Sequence, residues 1–110
     1  MSLDFYLMYK CDGKDIWVFE RNITHNLAMM ADKAGVYYAL WHPEKKEYVC
    51  AKDIVQLLEN GLKKLKKRPK YFRKFDAPNG WGVYEHFVPF VEEVLIACKE
   101  YPNAKIYCSV

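Results

Sequence analysis

Residues 3–20 read LDFYLMYKCDGKDIWVFE, and this stretch decides the fold. Apolar residues stand at every second position over residues 3–9, which is the alternation of a half-buried strand. The Asp-Gly pair at 12–13 is a strong signal for a two-residue hairpin turn, so residues 16–20 form the returning strand. A similar alternation recurs in residues 104–110, AKIYCSV. The chain is therefore predicted to open with a β-hairpin and to close with a third strand.

Helical spacing of apolar residues fills the chain between these strands. We predict helices over residues 24–35, about 51–68 and about 81–101, and the last places Trp81 in its first turn. The order β-β-α-α-α-β predicts an α+β fold of two layers, with a small antiparallel sheet covered on one face by three main helices. The last strand is expected to pair with the first, and residues 1–110 are expected to form a single domain.

Two residues interrupt the predicted helices. Gly61 in the second helix costs about 1 kcal/mol relative to alanine, so we expect another backbone to approach it closely. Pro89 lies in the third helix, which predicts either a kink there or a first turn that is a separate piece.

Composition excludes several classes of protein. The longest apolar run is far shorter than the ~20 residues of a membrane-spanning helix, so no membrane partner is predicted. The first ten residues do not read as a secretory signal, and a cytoplasmic location is expected. The chain has only two serines, at 2 and 109, and neither lies in a G-x-S-x-G motif. None of the four cysteines, at 11, 50, 98 and 108, belongs to a C-x-x-C pair, so reduced, buried thiols are expected.

Charge is concentrated in residues 61–75, GLKKLKKRPKYFRKF. The segment has a charge of +8, whereas the net charge of the whole chain is only +3, so the remaining residues together carry −5. One interpretation is a nucleic-acid surface of low sequence specificity, because cations interleave with aromatic residues and lysine outnumbers arginine. The other is a solvated helix face above a core of aromatic residues. The candidate contacts are Lys63, Lys64, Lys66, Lys67, Arg68, Lys70, Arg73 and Lys74.

Polar and aromatic residues cluster at the predicted helix ends. If these ends converge, they form a pocket with aromatic walls for a small molecule or a partner. Otherwise, Asn79 caps a helix and Trp81 belongs to the core. The histidines lack the spacing of a metal site, so neither a metal nor a cofactor is predicted and no catalytic residue is assigned. The candidate residues are His25, Asn26, Trp41, His42, Asn79, Trp81, Glu85 and His86.

Three segments carry a resemblance: NITHNL at 22–27, AGVYYALWHPE at 34–44 and NGWGVYEHFVPFVEE at 79–93. In this order and spacing they resemble a group of small proteins of phages and prophages that have no established activity. The resemblance implies a soluble accessory protein of mobile-element origin inside a bacterial host. We therefore expect a non-enzymatic protein that acts through a protein partner or by self-association. The alternatives are a nucleic-acid-binding module using residues 63–74 and a small-molecule site around residues 79–86.

Overall fold

A computed structural model describes residues 2–110 and has the predicted α+β fold. Its strands are β1 (Ser2–Cys11), β2 (Lys14–Thr24) and β3 (Lys105–Ser109). Its α-helices are α1 (Ala28–Ala34), α2 (Tyr37–Trp41), α3 (Val55–Lys67), α4 (Pro69–Arg73) and α5 (Tyr84–Glu100). Short 3-10 turns lie at His25–Leu27, Pro43–Lys46 and Ala51–Asp53.

The strands form one antiparallel sheet in the order β2-β1-β3, so the predicted pairing of the last strand with the first is confirmed. Asp12 and Gly13 join β1 to β2 with φ angles of 50° and 76°, both in the left-handed region that a two-residue hairpin turn of type I′ requires. A β-bulge interrupts β2. Met8 pairs with Trp17, whereas the preceding residue of β1 pairs with residue 19, so Val18 is left as the extra residue.

One face of the sheet carries the hydrophobic core. Leu3, Phe5 and Leu7 of β1 are fully buried there, in register with the alternation of the sequence. Helix α5 contacts both β2 and α3, so it is the central helix, as its many apolar residues predict. The residues of β1 between the buried ones point to the other face and are partly exposed.

Gly61 lies where α3 passes the corner between α1 and α2. A Cβ atom at this position would be 2.3 Å from Val36 Cγ1 and 3.1 Å from the carbonyl oxygen of Ala34. The close approach that the glycine predicts is therefore confirmed. Only a residue without a side chain lets the two backbones come this near.

Helix α5 begins at Tyr84, three residues later than predicted. Asp76 Oδ1 accepts the N–H of Tyr84 at 2.7 Å, and Ala77 N donates to Gly82 O at 2.9 Å, so residues 77–82 form a closed turn instead of a first helical turn. The helix then runs unbroken past Pro89, so the first turn is not a separate piece. Trp81 therefore lies in the turn, outside the helix.

Pro69 ends α3, and α4 starts at the same residue. A proline has no N–H, so the carbonyl of Leu65, four residues earlier, loses its helical partner. Tyr84 compensates from α5: its buried hydroxyl donates to Leu65 O at 2.8 Å. This hydrogen bond joins the end of α3 to the start of α5.

A short bridge covers part of the outer edge of β3. Ile106 N donates to Val49 O at 2.9 Å, and Cys50 pairs with Lys105. Asp53 Oδ2 accepts the N–H groups of both Val49 and Cys50 at 3.0 Å, which fixes this bridge and lowers the pKa of Asp53. In the part of the chain that the structure describes, no helix is long and apolar enough to cross a membrane.

Candidate functional site

The sheet face opposite the core carries three aromatic rings in mutual contact. Tyr6 from β1 lies between Trp17 of β2 and Tyr107 of β3, with ring centroids 4.7 Å and 5.9 Å away. Trp17 and Tyr107 are themselves 6.1 Å apart. Half of each outer side chain, 50% for Trp17 and 51% for Tyr107, is exposed. We call this cluster of Tyr6, Trp17 and Tyr107 the aromatic face.

Carboxylates surround the aromatic face. Asp15 and Glu20 line the same shallow depression of about 490 Å³ as the three rings, together with Met8. Partial desolvation and the nearby carboxylates of Asp4 and Glu20 raise the pKa of Tyr6, which indicates a negative potential at its hydroxyl. Negative charge and π-electron faces both favour a cation.

Two lysines balance part of this charge. Lys10 pairs with Asp15 across β1 and β2, and Lys105 pairs with Met8 across β1 and β3, so both belong to the same side of the sheet. With three carboxylates against two lysines, this side has a net charge of −1. Neither lysine lines the depression around the rings. The cation-attracting part of the surface is therefore the end toward Glu20.

The sequence contained a signal for two of the three aromatic residues. Tyr6 and Tyr107 occupy the polar register of strands whose alternate residues are buried, so both were expected to face away from the core. Trp17 gave no such signal, because the bulge at Val18 shifts the alternation of β2 by one residue. None of the three was among the predicted site residues.

The predicted set of helix-end residues converges only in part. Asn26 Nδ2 donates to Trp81 O at 2.8 Å, and Asn79 Oδ1 accepts the N–H of Trp81 at 2.9 Å. Gly82 packs closely against Thr24 and Asn26, next to the 3-10 turn His25–Leu27. A Cβ atom added to Gly82 would lie 3.0 Å from side-chain atoms of both residues. Asn26 and Asn79 therefore hold the turn of residues 77–82 in place.

Two interpretations of this turn are corrected by the structure. Trp81 is 72% exposed and does not belong to the core. The hydrogen bonds of Asn26 and Asn79 reach its backbone, and its side chain extends into solvent. Asn79 caps its own turn at Trp81 N and does not cap α5, where Asp76 takes that role. The neighbouring depression contains Asn26, Asn79 and the exposed Met29.

The other members of the set have separate partners. Trp41 is buried, and its Nε1 donates to His25 Nδ1 at 3.2 Å. His42 pairs with Glu44 at 3.0 Å and lowers the pKa of that carboxyl group. Glu85, on the first turn of α5, forms an ion pair with Arg73 at 2.9 Å, and His86 next to it is exposed.

The basic segment is divided between ion pairs and free cations. Lys66 and Arg73 reach Glu92 and Glu85 of α5 at 3.7 Å and 2.9 Å. Lys63 lies over a different depression, with Leu95 and Lys99. Lys64 extends toward Gly35 at the end of α1. The remaining four, which line one groove together, are Lys67, Arg68, Lys70 and Lys74.

The expectation of buried thiols is confirmed for Cys98 and is wrong for Cys11, which is exposed. Burial raises the pKa of Cys98 and of Cys108 to about 12, so both remain protonated at neutral pH. Within residues 2–110, no three His, Cys, Asp or Glu side chains lie close enough together to hold a metal ion.

Comparisons with protein-family models, with curated proteins and with solved structures give no match to this chain. The resemblance to small phage and prophage proteins therefore stays a prediction.

Proposed function

We propose that this protein is a non-enzymatic interaction module whose aromatic face binds a basic segment of a protein partner. The observation that carries the proposal is the contact between Tyr6, Trp17 and Tyr107 on the uncovered side of the sheet. Tyrosine and tryptophan are enriched among the residues that contribute most to protein–protein affinity.

The aromatic face is suited to binding because it is already assembled. The three rings come from three adjacent strands and pack edge-to-face or tilted against each other, so their conformations are restricted before a partner arrives. A side chain that is ordered beforehand loses little conformational entropy on binding. A partner would therefore gain most of the contact energy of these rings.

The chemistry of the partner follows from the charge around the rings. Asp15 and Glu20 share the depression with the aromatic face, and the pKa of Tyr6 is raised partly by Asp4 and Glu20. Lysine and arginine side chains combine a cation with an apolar stem, so they match carboxylates and ring faces together. We therefore infer a partner segment that contains lysine or arginine between apolar residues.

The phage-type resemblance extends this proposal to the biological setting. It favours an accessory protein of a mobile element, acting in the cytoplasm of a bacterial host. A second copy of this chain is the alternative occupant of the aromatic face, and the experiment below distinguishes self-association from binding of a basic partner.

The test compares matched tryptophan variants on an array of short peptides. Each peptide carries two lysines or arginines between apolar residues, and its counterpart carries aspartate or glutamate. We expect the cationic peptides to be retained and Trp17→Ala to weaken retention roughly 30-fold, the effect of losing a hot-spot residue worth about 2 kcal/mol. The control is Trp81→Ala, which removes an exposed tryptophan of another surface.

The outcomes decide the proposal as follows. Loss of binding with Trp17→Ala and Tyr107→Ala, but not with Trp81→Ala, supports it. Equal retention of the acidic peptides, or an equal loss with Trp81→Ala, overturns it. A concentration-dependent dimer in sedimentation that Trp17→Ala abolishes assigns the face to a second copy and also overturns the basic partner. Circular dichroism checks folding, since cross-strand pairs contribute only ~0.2–1 kcal/mol each.

A further inference from the structure

The groove where α3 meets α4 has the composition of an anion site. It is open, has a volume of about 490 Å³ and is lined by Lys67, Arg68, Pro69, Lys70, Tyr71 and Lys74. Four of these six residues are cations, and none is acidic. We propose that this basic groove binds the phosphate backbone of a single-stranded nucleic acid, on a surface separate from the aromatic face.

Pro69 is the reason that Arg68 joins the other cations of the groove. In a continuous helix Lys67 and Lys70 would lie only about 60° apart around the axis, whereas Arg68 would lie about 160° from Lys70. The proline ends α3, and the chain turns at Arg68, whose φ and ψ of −131° and 60° are not helical. The cations before and after the turn therefore line the same concave surface.

The groove cations also differ from their neighbours in having no acidic partner. Lys66 and Arg73 are neutralised by Glu92 and Glu85 across the interface with α5. Among the residues that the structure describes, no carboxylate lies within 4 Å of the charged groups of Lys67, Arg68, Lys70 or Lys74. Four like charges in one groove create a positive potential that attracts a polyanion.

Tyr71 adds a stacking surface beside the charges. The Arg68 guanidinium carbon lies 4.3 Å from the Tyr71 ring centroid, and the ring packs edge-on against Phe72 and Phe75. Cationic grooves that include aromatic rings or stacked guanidinium groups are typical of proteins that bind single strands, because every base has a π face.

The shape favours an extended strand over a small phosphorylated ligand. Pockets for small molecules enclose most of the ligand surface, whereas this groove is open to solvent. Its lining offers no Asn, Gln, Asp or Glu side chain, and Arg68, the best reader of guanine among its cations, is stacked on Tyr71, so the binding should have low sequence specificity.

The test is fluorescence anisotropy with a labelled oligonucleotide of about 12 nucleotides, within the usual size range of single-strand sites. Neutralisation of four phosphates on a single strand predicts a salt slope of about −2.8, so affinity should fall roughly 50-fold between about 50 and 200 mM salt. The variant Lys67→Gln/Lys70→Gln/Lys74→Gln should bind at least about tenfold more weakly and reduce the slope to about −0.7. The control Lys10→Gln/Lys33→Gln/Lys45→Gln has the same net charge and should bind like the wild type.

Tyr71→Leu separates stacking from charge, because it should weaken binding and leave the salt slope unchanged. The proposal is overturned if the control weakens binding as much as the groove variant, or if affinity does not respond to salt. It is also overturned if millimolar inorganic phosphate displaces the oligonucleotide completely, which indicates a site for the free ion. Equally strong binding of the matching duplex overturns the preference for a single strand.

Discussion

Replacing Gly61 with alanine tests how tightly α3 packs on the α1–α2 corner. The new methyl group would lie 2.3 Å from Val36 Cγ1, whereas carbon atoms in contact are normally about 3.5–4.0 Å apart. Val36 is fully buried and would have to retreat by roughly 1 Å or more. The carbonyl oxygen of Ala34, 3.1 Å from the same point, belongs to the backbone and yields less readily.

Two opposing contributions decide the result. Alanine is favoured over glycine inside a helix by about 1 kcal/mol. Forcing a methyl group into a packed core costs typically ~1–3 kcal/mol, and so short a contact belongs to the upper part of that range. We expect Gly61→Ala to destabilise the protein by about 1–2 kcal/mol, or roughly 4–8 °C in Tm for each kcal/mol.

A double-mutant cycle in urea identifies the cause. Val36→Ala alone should cost roughly 2 kcal/mol, because it removes two buried methyl groups. In the double variant the Gly61→Ala methyl occupies part of that space. The loss of stability of the double variant should therefore be smaller than the sum of the two single losses by about 1 kcal/mol or more. The exposed Asn60→Ala serves as a control for helix propensity. A Gly61→Ala protein more stable than the wild type, or strictly additive losses, would refute the close approach.

Three further predictions concern single contacts. Tyr84→Phe should lower the free energy of unfolding by about 1–3 kcal/mol, because it leaves the buried carbonyl of Leu65 without a donor; an unchanged urea midpoint would contradict this. Asp53→Ala should cost about 1 kcal/mol at neutral pH, as for other helix caps. Since the folded pKa of Asp53 lies below its ordinary value of 3.8, the difference from the wild type should be constant above that pH and shrink as the pH falls further; a difference that grows in acid would exclude the capping role. At pH 8 a thiol reagent should modify exposed Cys11 readily and Cys98 far more slowly, because Cys98 is inaccessible in the core and its burial raises its pKa to about 12; equal labelling, read by mass spectrometry, would show that the core opens.

Local patterns in the sequence predicted the framework of the fold. The strands and the turn at 12–13 follow from alternation and from turn chemistry, and the close packing at Gly61 follows from the cost of a helical glycine. The strands and the turn depend on residues that are close together in the chain. The packing at Gly61 depends on the conformational preference of one residue.

The sequence could not predict which individual side chains meet across the fold. The start of α5 depends on Asp76, eight residues before the N–H group that it caps, so the sequence could not show that Trp81 precedes the helix and is exposed. The aromatic face depends on the register of a predicted pairing: the sequence indicated that the last strand pairs with the first, but not that Tyr107 lies opposite Tyr6. The division of the basic segment into paired and free cations depends on the carboxylates of α5.

The bulge at Val18 has a consequence beyond the register of the hairpin. β2 is an edge strand of eleven residues, and a straight strand of that length is a template on which another chain can add and begin a fibril. The extra residue breaks the even spacing of its hydrogen-bonding groups and increases its twist, and charged residues stand along it at Lys14, Glu20 and Arg21. The protein can thus leave tyrosine and tryptophan rings open to solvent while its own edge discourages amyloid-like growth.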